Sequence, residues 1–386
     1  MRVATTLALA ASFGATLAQE TYLGFNSGAT FDDSKAKTQA DFEKEFTTAK
    51  NLKGAVGQFT SARLYTNVQS GTEDTPIAAF PAAIKTKTKL LLGIWCSGTT
   101  SIDKELEVLT KAIDQYGKDF TDLVVGLSVG SEDMYRVSEP GIKNKAGVGQ
   151  EATMIVKFVK AARSKLSGTA LGSIPIGHVD TWTAWTNGSN KAVINEVDFI
   201  GTNLFPYYES DRGDNDISKA GELFDKAISA TEGVAGKKPI WITETGWPTT
   251  GPTFGKATAT MKNAESYWQD VGCKLFGKQN TWWYVLQDSN PDNEAKFGIT
   301  KEFNTTPQYN LTCAAEVATP TSSGTPTSTP TSTAGAGQSQ NGTTENNGNG
   351  NGGNGAPGAG SIASVSLFNA VSIGLSIAFA MAAWAA

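Results

Sequence analysis

The stretch Pro239-Ile240-Trp241-Ile242-Thr243-Glu244-Thr245-Gly246-Trp247-Pro248 decides the fold. Ile240 to Thr243 are apolar, aromatic or β-branched, which suits a strand buried on both faces. The run stops at Gly246 with Pro248 behind it, so Glu244 arrives at the strand's carboxyl end. It lies between Trp241 and Trp247. A carboxylate in that place serves either a buried ion pair or chemistry, and flanking aromatic faces suit a sugar ring.

Working outward, the same kind of run recurs. Strand-like segments begin at Tyr22, Ala62, Lys89, Leu123, Ile174, Val197, Pro239 and Trp282. Between them, apolar residues fall at helical spacing. Phe42, Phe46 and Ala49 do so in 41–52, and Leu106, Leu109 and Ile113 in 102–116. Ile155, Phe158, Val159 and Ala162 follow in 152–166, and Leu223, Phe224 and Ala227 in 220–228. This alternation predicts an α/β domain over 19–314, a single (β/α)8 TIM barrel, at close to the usual size of about 250 residues. A doubly wound open sheet normally carries a Gly-rich phosphate turn after its first strand. Here that turn reads Ser27-Gly28-Ala29-Thr30.

Both ends of the 386-residue chain carry processing signals. Arg2, an apolar run over 3–11 and small residues at Thr16 and Ala18 predict a signal peptide over 1–18. From 317 to 360, Pro, Ser, Thr, Gly and Asn dominate and Glu345 is the only charge. That composition predicts a disordered, O-glycosylated stalk over 315–354. The uncharged apolar tail over 362–386 predicts a GPI-attachment signal, with Asn354 as attachment residue and 355–386 removed. A plain C-terminal membrane helix is the alternative. Asn187, Asn304, Asn310 and Asn341 open glycosylation sequons. Of three cysteines, Cys273 and Cys313 are placed to pair, which leaves Cys96 as a buried thiol. With one histidine there is no metal-ligand spacing, and no cofactor is implied. A net charge of −5 and the lack of a binding motif exclude a nucleic-acid partner. The expected protein is a monomer outside the cell, tethered to the membrane or wall.

In such a barrel the site lies at the carboxyl ends of the strands. The second strand delivers Tyr65 and Asn67, and the fourth Ser131, Glu132 and Asp133. The fifth delivers His178, Asp180 and Trp182, and the sixth Asn203, Tyr207 and Tyr208. The seventh delivers Glu244 and Trp247, and the eighth Gln287 and Asp288. His178 reads better as a hydrogen-bonded barrel histidine than as a catalytic one. These residues describe a cleft with almost no fixed positive charge, suited to a neutral, polyhydroxylated ligand. Glu132 and Glu244 would face each other across it. One protonated and one ionised carboxyl is what glycosidic cleavage requires. Strong burial and mutual repulsion would push their pKa values apart.

Trp-Ile-Thr-Glu-Thr-Gly-Trp-Pro, Val-Gly-Ser-Glu, Ala-Arg-Leu-Tyr and Asn-Leu-Phe-Pro-Tyr-Tyr resemble motifs of glycoside hydrolase family seventeen, and so do Lys-Phe-Gly-Ile and Pro-Gln-Tyr-Asn. More narrowly the chain is similar to the GPI-anchored fungal endo-1,3-β-glucosidases of the cell wall. The resemblance implies a retaining hydrolase of 1,3-β-glucan, with Glu132 as acid/base and Glu244 as nucleophile. It implies that Tyr207 hydrogen-bonds Glu244, and that Tyr65 and Trp247 form walls against glucose rings. Asn67, Ser131, Asn203 and Asp288 complete the candidate substrate contacts. One position departs from the pattern: Ser131 stands where related enzymes usually have an Asn that binds the sugar 2-hydroxyl.

Other readings compete. Gly126-Leu127-Ser128-Val129-Gly130 fits a nucleophile elbow, but Ser128 lies inside an apolar run rather than on a sharp turn. Gly147-Val148-Gly149-Gln150-Glu151-Ala152 resembles a dinucleotide fingerprint with no strand before it. A non-catalytic glucan-binding wall protein would keep the same aromatics, and a glucanosyltransferase would keep the same carboxyls.

Overall fold

The apolar runs form the strands of a closed barrel in a computed structural model that describes residues 21–314. The predicted leader, stalk, attachment propeptide, Asn341 and Asn354 lie outside the described residues. The strands are β1 (Leu23–Ser27), β2 (Ser61–Leu64), β3 (Lys89–Ile94), β4 (Val124–Ser131), β5 (Ile176–Thr181), β6 (Phe199–Leu204), β7 (Ile240–Thr245) and β8 (Thr281–Trp283). They follow one another in order around the barrel, and β8 closes on β1 in parallel. The fold is therefore a (β/α)8 barrel.

The main helices are α1 (Gln39–Lys50), α2 (Ala79–Thr86), α3 (Asp103–Thr121), α4 (Asp133–Arg136), α5 (Glu139–Lys143), α6 (Ala152–Leu166), α7 (Trp182–Thr186), α8 (Lys191–Glu196), α9 (Ile217–Ala235) and α10 (Met261–Tyr267). Thr38 caps α1 reciprocally with Asp41, which fixes where that helix begins. α3 runs on past the predicted stripe after a break at Gly117, whose φ is 53°. α9 outruns its predicted end because its last turns bury only Thr231 and Ala235, too small to mark a stripe. α2 escapes a periodicity reading because it is short and buries mostly alanines around Phe80.

Leu91, Val125, Phe199, Trp241 and Trp282 form a cluster of their own, to which β3, β4, β6, β7 and β8 each contribute a residue. Phe199 and Trp241 stack there with ring centroids 3.8 Å apart. The inward positions on these strands fill the barrel as a packed core. The β8 ladder is shorter than its apolar run, because Val285 and Leu286 turn their carbonyls to Ile299 and Thr300 instead.

Cys273 and Cys313 form a disulfide across a sequence separation of 40, and Cys96 is a buried free thiol. Among the described residues no helix is long and apolar enough to cross a membrane. The cross-link closes a long loop, so its removal costs stability chiefly by enlarging the unfolded ensemble. Replacing both cysteines by serine should lower the unfolding free energy by about 2–4 kcal/mol, read as an earlier urea midpoint with an unchanged native circular dichroism spectrum.

Candidate active site

The site is assembled from polar residues placed at the barrel's carboxyl-terminal end. Asn26, near the end of β1, donates through Nδ2 to the carbonyls of Thr243 (2.9 Å) and Trp282 (3.0 Å), stitching β1 to β7 and β8. Its Oδ1 therefore faces the interior and accepts from Arg63 Nη1 at 2.7 Å. Arg63 stands in the middle of β2 with its side chain 1% exposed. The same Nη1 reaches Glu244 Oε1 at 2.5 Å, and Nη2 donates to Ser131 Oγ at 3.0 Å. Tyr65 donates its hydroxyl to Glu244 Oε1 at 3.0 Å, and its ring lies 4.6 Å from the Arg63 guanidinium carbon. Glu244 is fully buried, and its second oxygen, Oε2, has no hydrogen-bond partner.

Glu132 follows directly on β4 in a left-handed conformation, φ 60° and ψ 23°. That region is uncommon for a residue with a Cβ, and such strain tends to collect at functional positions. Its main-chain N–H is held by Val179 O at 2.8 Å. Asn203 Nδ2 donates to Glu132 Oε1 at 2.9 Å, while Asn203 Oδ1 accepts from the Thr243 hydroxyl. Asn203 and Glu244 are partners in the β6–β7 ladder, and neighbouring strands lie only about 4.8 Å apart. So one amide beside Glu244 touches Glu132, and one guanidinium on Glu244 touches the residue before Glu132. The two carboxyls converge.

Their surroundings differ. Burial, and then the charge of Glu244, push the Glu132 carboxyl up to about 7, against the opposing pull of Arg136 and Asn203. Arg136 Nη2 stays 4.0 Å from Glu132 Oε2, while Nη1 and Nε of the same side chain donate to the Ser131 and Ala146 carbonyls. Glu244 has a guanidinium in direct contact and Glu132 does not.

Several expected contacts lie elsewhere. Tyr207 does not bond Glu244: its hydroxyl donates to Pro252 O, and its ring packs edge-on against Trp247 at 5.4 Å. Trp247 is 1% exposed, donates to Thr258 O, and belongs to the core rather than to a sugar-facing wall. Asp288 gives both oxygens to the N–H groups of Phe297 and Gly298, and Gln287 holds Phe303 N, so β8's continuation orders a loop. Asn67 is buried, with its main-chain N–H bound by Glu105. Thr181 pairs with Asn203, which puts the alternate residues His178 and Asp180 on the outer face of β5, behind the site. Trp182 stands half-buried at the rim, bonded to Glu209 and covered by Arg212 at 4.3 Å. Asn187, Asn304 and Asn310 are exposed.

The cleft expected to carry almost no fixed positive charge holds two guanidinium groups. Arg63 and Arg136 are both buried in it. The signal was present: a charged residue inside the strand Ser61-Ala62-Arg63-Leu64 needs an internal partner. Asn26, a polar residue in the first strand's run, was a similar signal.

A closed parallel barrel that gathers two buried carboxyls of unlike surroundings at its strand ends has the layout of a barrel glycosidase. The sequence model of the BtgE/BtgC glycoside hydrolase domain matches residues 24–303, and the chain belongs to that family. It is 53% identical over 308 residues to the probable glucan endo-1,3-beta-glucosidase eglC of Aspergillus oryzae, covering 79% of this chain and 66% of that protein. It is 52% identical to the protein of the same name from Aspergillus fumigatus, over 81% of this chain and 69% of the relative. The chain thus spans about two thirds of the length of these relatives. Its fold is shared with a glycoside hydrolase family 17 beta-1,3-glucanosyltransferase from Rhizomucor miehei. The TM-score is 0.61 at 22% identity, over 76% of this chain and 98% of that one.

Arg63 neutralises a buried carboxylate. Arg63→Ala should cost about 3–5 kcal/mol of stability, the range for breaking a buried ion pair. The measurement is equilibrium urea unfolding. Tyr65→Phe, which removes one donor to that carboxylate, should cost about 1.5–3 kcal/mol.

Proposed function

We propose that this chain is a retaining endo-1,3-β-glucanase acting on fungal cell-wall glucan. The observation that carries the reading is the inequality of the two carboxyls. Glu132 is raised to about 7, which suits a proton donor in the weakly acidic range. Glu244 has one oxygen held by Arg63 and Tyr65 and the other unpartnered, which suits a nucleophile. The names of the Aspergillus relatives support 1,3-β-glucan as the substrate class.

In the first step Glu244 Oε2 bonds the anomeric carbon as the glycosidic C–O bond breaks. The leaving oxygen takes its proton from Glu132. Glu132, now ionised, then removes a proton from water while the water oxygen displaces Glu244 from the anomeric carbon. If a sugar hydroxyl arrives in place of water, the same step joins two chains. Transfer is thus a built-in branch of the mechanism, and the Rhizomucor neighbour is named for it. Tyr65, Ser131 and Asn203 are the proposed contacts that hold the ring beside the carboxyls. A serine at 131 already engaged by Arg63 reaches less far than an asparagine would. The predicted leader and tail support an extracellular, GPI-anchored site of action at the membrane and wall, and the exposed sequons support glycosylation there.

The proton donor must carry its proton, so activity is lost as pH rises through about 7. Release of reducing ends from a soluble 1,3-β-glucan should fall about tenfold per pH unit above that point. Glu132→Gln should lower kcat/KM by about 10²–10⁴-fold and remove this limb, while Glu244→Gln should abolish turnover and leave binding intact. A wild-type profile flat from about pH 5 to about pH 9, or a turning-over Glu244→Gln protein, contradicts the assignment.

A further inference from the structure

The mechanism leaves one buried titratable pair unused. His178 and Asp180 lie on the outer face of β5 and are both fully buried. They sit behind the turn that carries Glu132. The β4–β5 ladder shifts register between Ser128 and Ser131, and His178 fills that break: its Nδ1 lies 2.6 Å from Val129 O. A carbonyl only accepts, so Nδ1 carries a hydrogen. His178 Nε2 lies 2.9 Å from Asp180 Oδ2. Asp180 also accepts from Met134 N (2.9 Å), Tyr135 N (3.2 Å) and Thr181 N (2.8 Å). A carboxylate offers about four acceptor sites, and main-chain donors take three of them. The fourth site faces Nε2, and a carboxylate that already takes three N–H bonds is set to accept there too, so Nε2 donates as well.

We propose that His178 is held as an imidazolium and, with Asp180, is a positioning residue that fixes the turn presenting Glu132. Asp180 accepts the N–H groups of Met134 and Tyr135 in α4, which starts directly after Glu132, and Val179 between the pair holds the Glu132 N–H. The strained φ of Glu132 is thus clamped from one short piece of β5. Gly130 (φ 88°) is part of the same fit: a Cβ there would lie 2.4 Å from Asp133 Oδ2 and 2.9 Å from His178. The charged groups facing the pair are Asp133 and Arg136 from α4 and Glu132 from the turn before it. Asp133 is held by Ser131 N and the Ser97 hydroxyl. Burial opposes a charge on His178, but the Asp180 bond and charge, with Asp133 beyond, outweigh it and raise its pKa above the ordinary value. A cation at 178 offsets Asp180, whose negative charge otherwise raises the Glu132 carboxyl.

The kinetic part of this inference rests on Glu132 being the proton donor; the protonation part does not. His178 is the only histidine in the chain, so nitrogen-15 spectra of the histidine-labelled full-length protein report it alone. Both ring nitrogens should carry hydrogen at about pH 7, above the ordinary histidine value of about 6.5. A single-hydrogen tautomer at that pH overturns the proposal. His178→Gln cannot offer two opposed donors. It should lower kcat about tenfold with KM little changed, and move the alkaline limb upward by about half a pH unit. A folded His178→Gln protein with wild-type kcat and an unmoved limb shows a merely structural histidine and refutes positioning. Wild-type protein that releases no sugar refutes the catalytic reading instead, and the nitrogen signals still decide the protonation.

Discussion

The guanidinium of Arg63 sits where Glu244, Asn26, Tyr65 and Ser131 meet, with essentially no exposure to water. A buried carboxylate without a partner costs several kcal/mol, and a buried ion pair returns that cost only with good geometry and further hydrogen bonds. Arg63 supplies the geometry, and Asn26 supplies the further bond. Asn26 is itself locked by carbonyls of β7 and β8, so the charge is referred to the barrel wall. Without this contact Glu244 would be an uncompensated charge in the middle of the protein. With it, one oxygen is held and the other is left unpartnered.

The same constraint shapes Glu132. Its carboxyl is buried near a second negative group but is denied a close cation, because Arg136 is tied to main-chain carbonyls. Burial and repulsion then favour the protonated form. The ring of strands makes this inequality possible. Residues far apart in the chain reach one spot because β4, β6 and β7 run in the same direction and end at the same rim. The left-handed turn at Glu132 then sets the carboxyl at an angle that a regular strand end would not give.

Much of this was legible in the sequence. Continuous apolar runs separated by helical stripes are the signature of strands buried on both faces, and they identified the barrel and all eight strands. Glu132 and Glu244 stood out because each ends such a run. What failed was the facing of side chains near the strand ends. Tyr207 and Trp247 follow β6 and β7 closely, but the loops turn them into the core, where their polar atoms meet Pro252 and Thr258. Local spacing carries no record of that turn. His178 and Asp180 were placed in the cleft although strand alternation puts them outside it, a parity set only once Thr181 is seen to pair with Asn203. The role of Arg63 is silent in the sequence, since one charge in an apolar strand shows its meaning only when its partner, distant in sequence, comes beside it.

The central claim is that Glu244 attacks while Glu132 gives the proton. The most direct test is trapping: incubation with a 1,3-linked oligoglucosyl fluoride carrying fluorine at C2 of the reacting sugar, which slows release of the covalent intermediate. Peptide mass spectrometry should then find one glycosyl adduct, on Glu244, and adding a glucan acceptor should discharge it. Turnover of the parent glucan with inversion at the anomeric carbon, or an adduct on any other residue, would contradict the account.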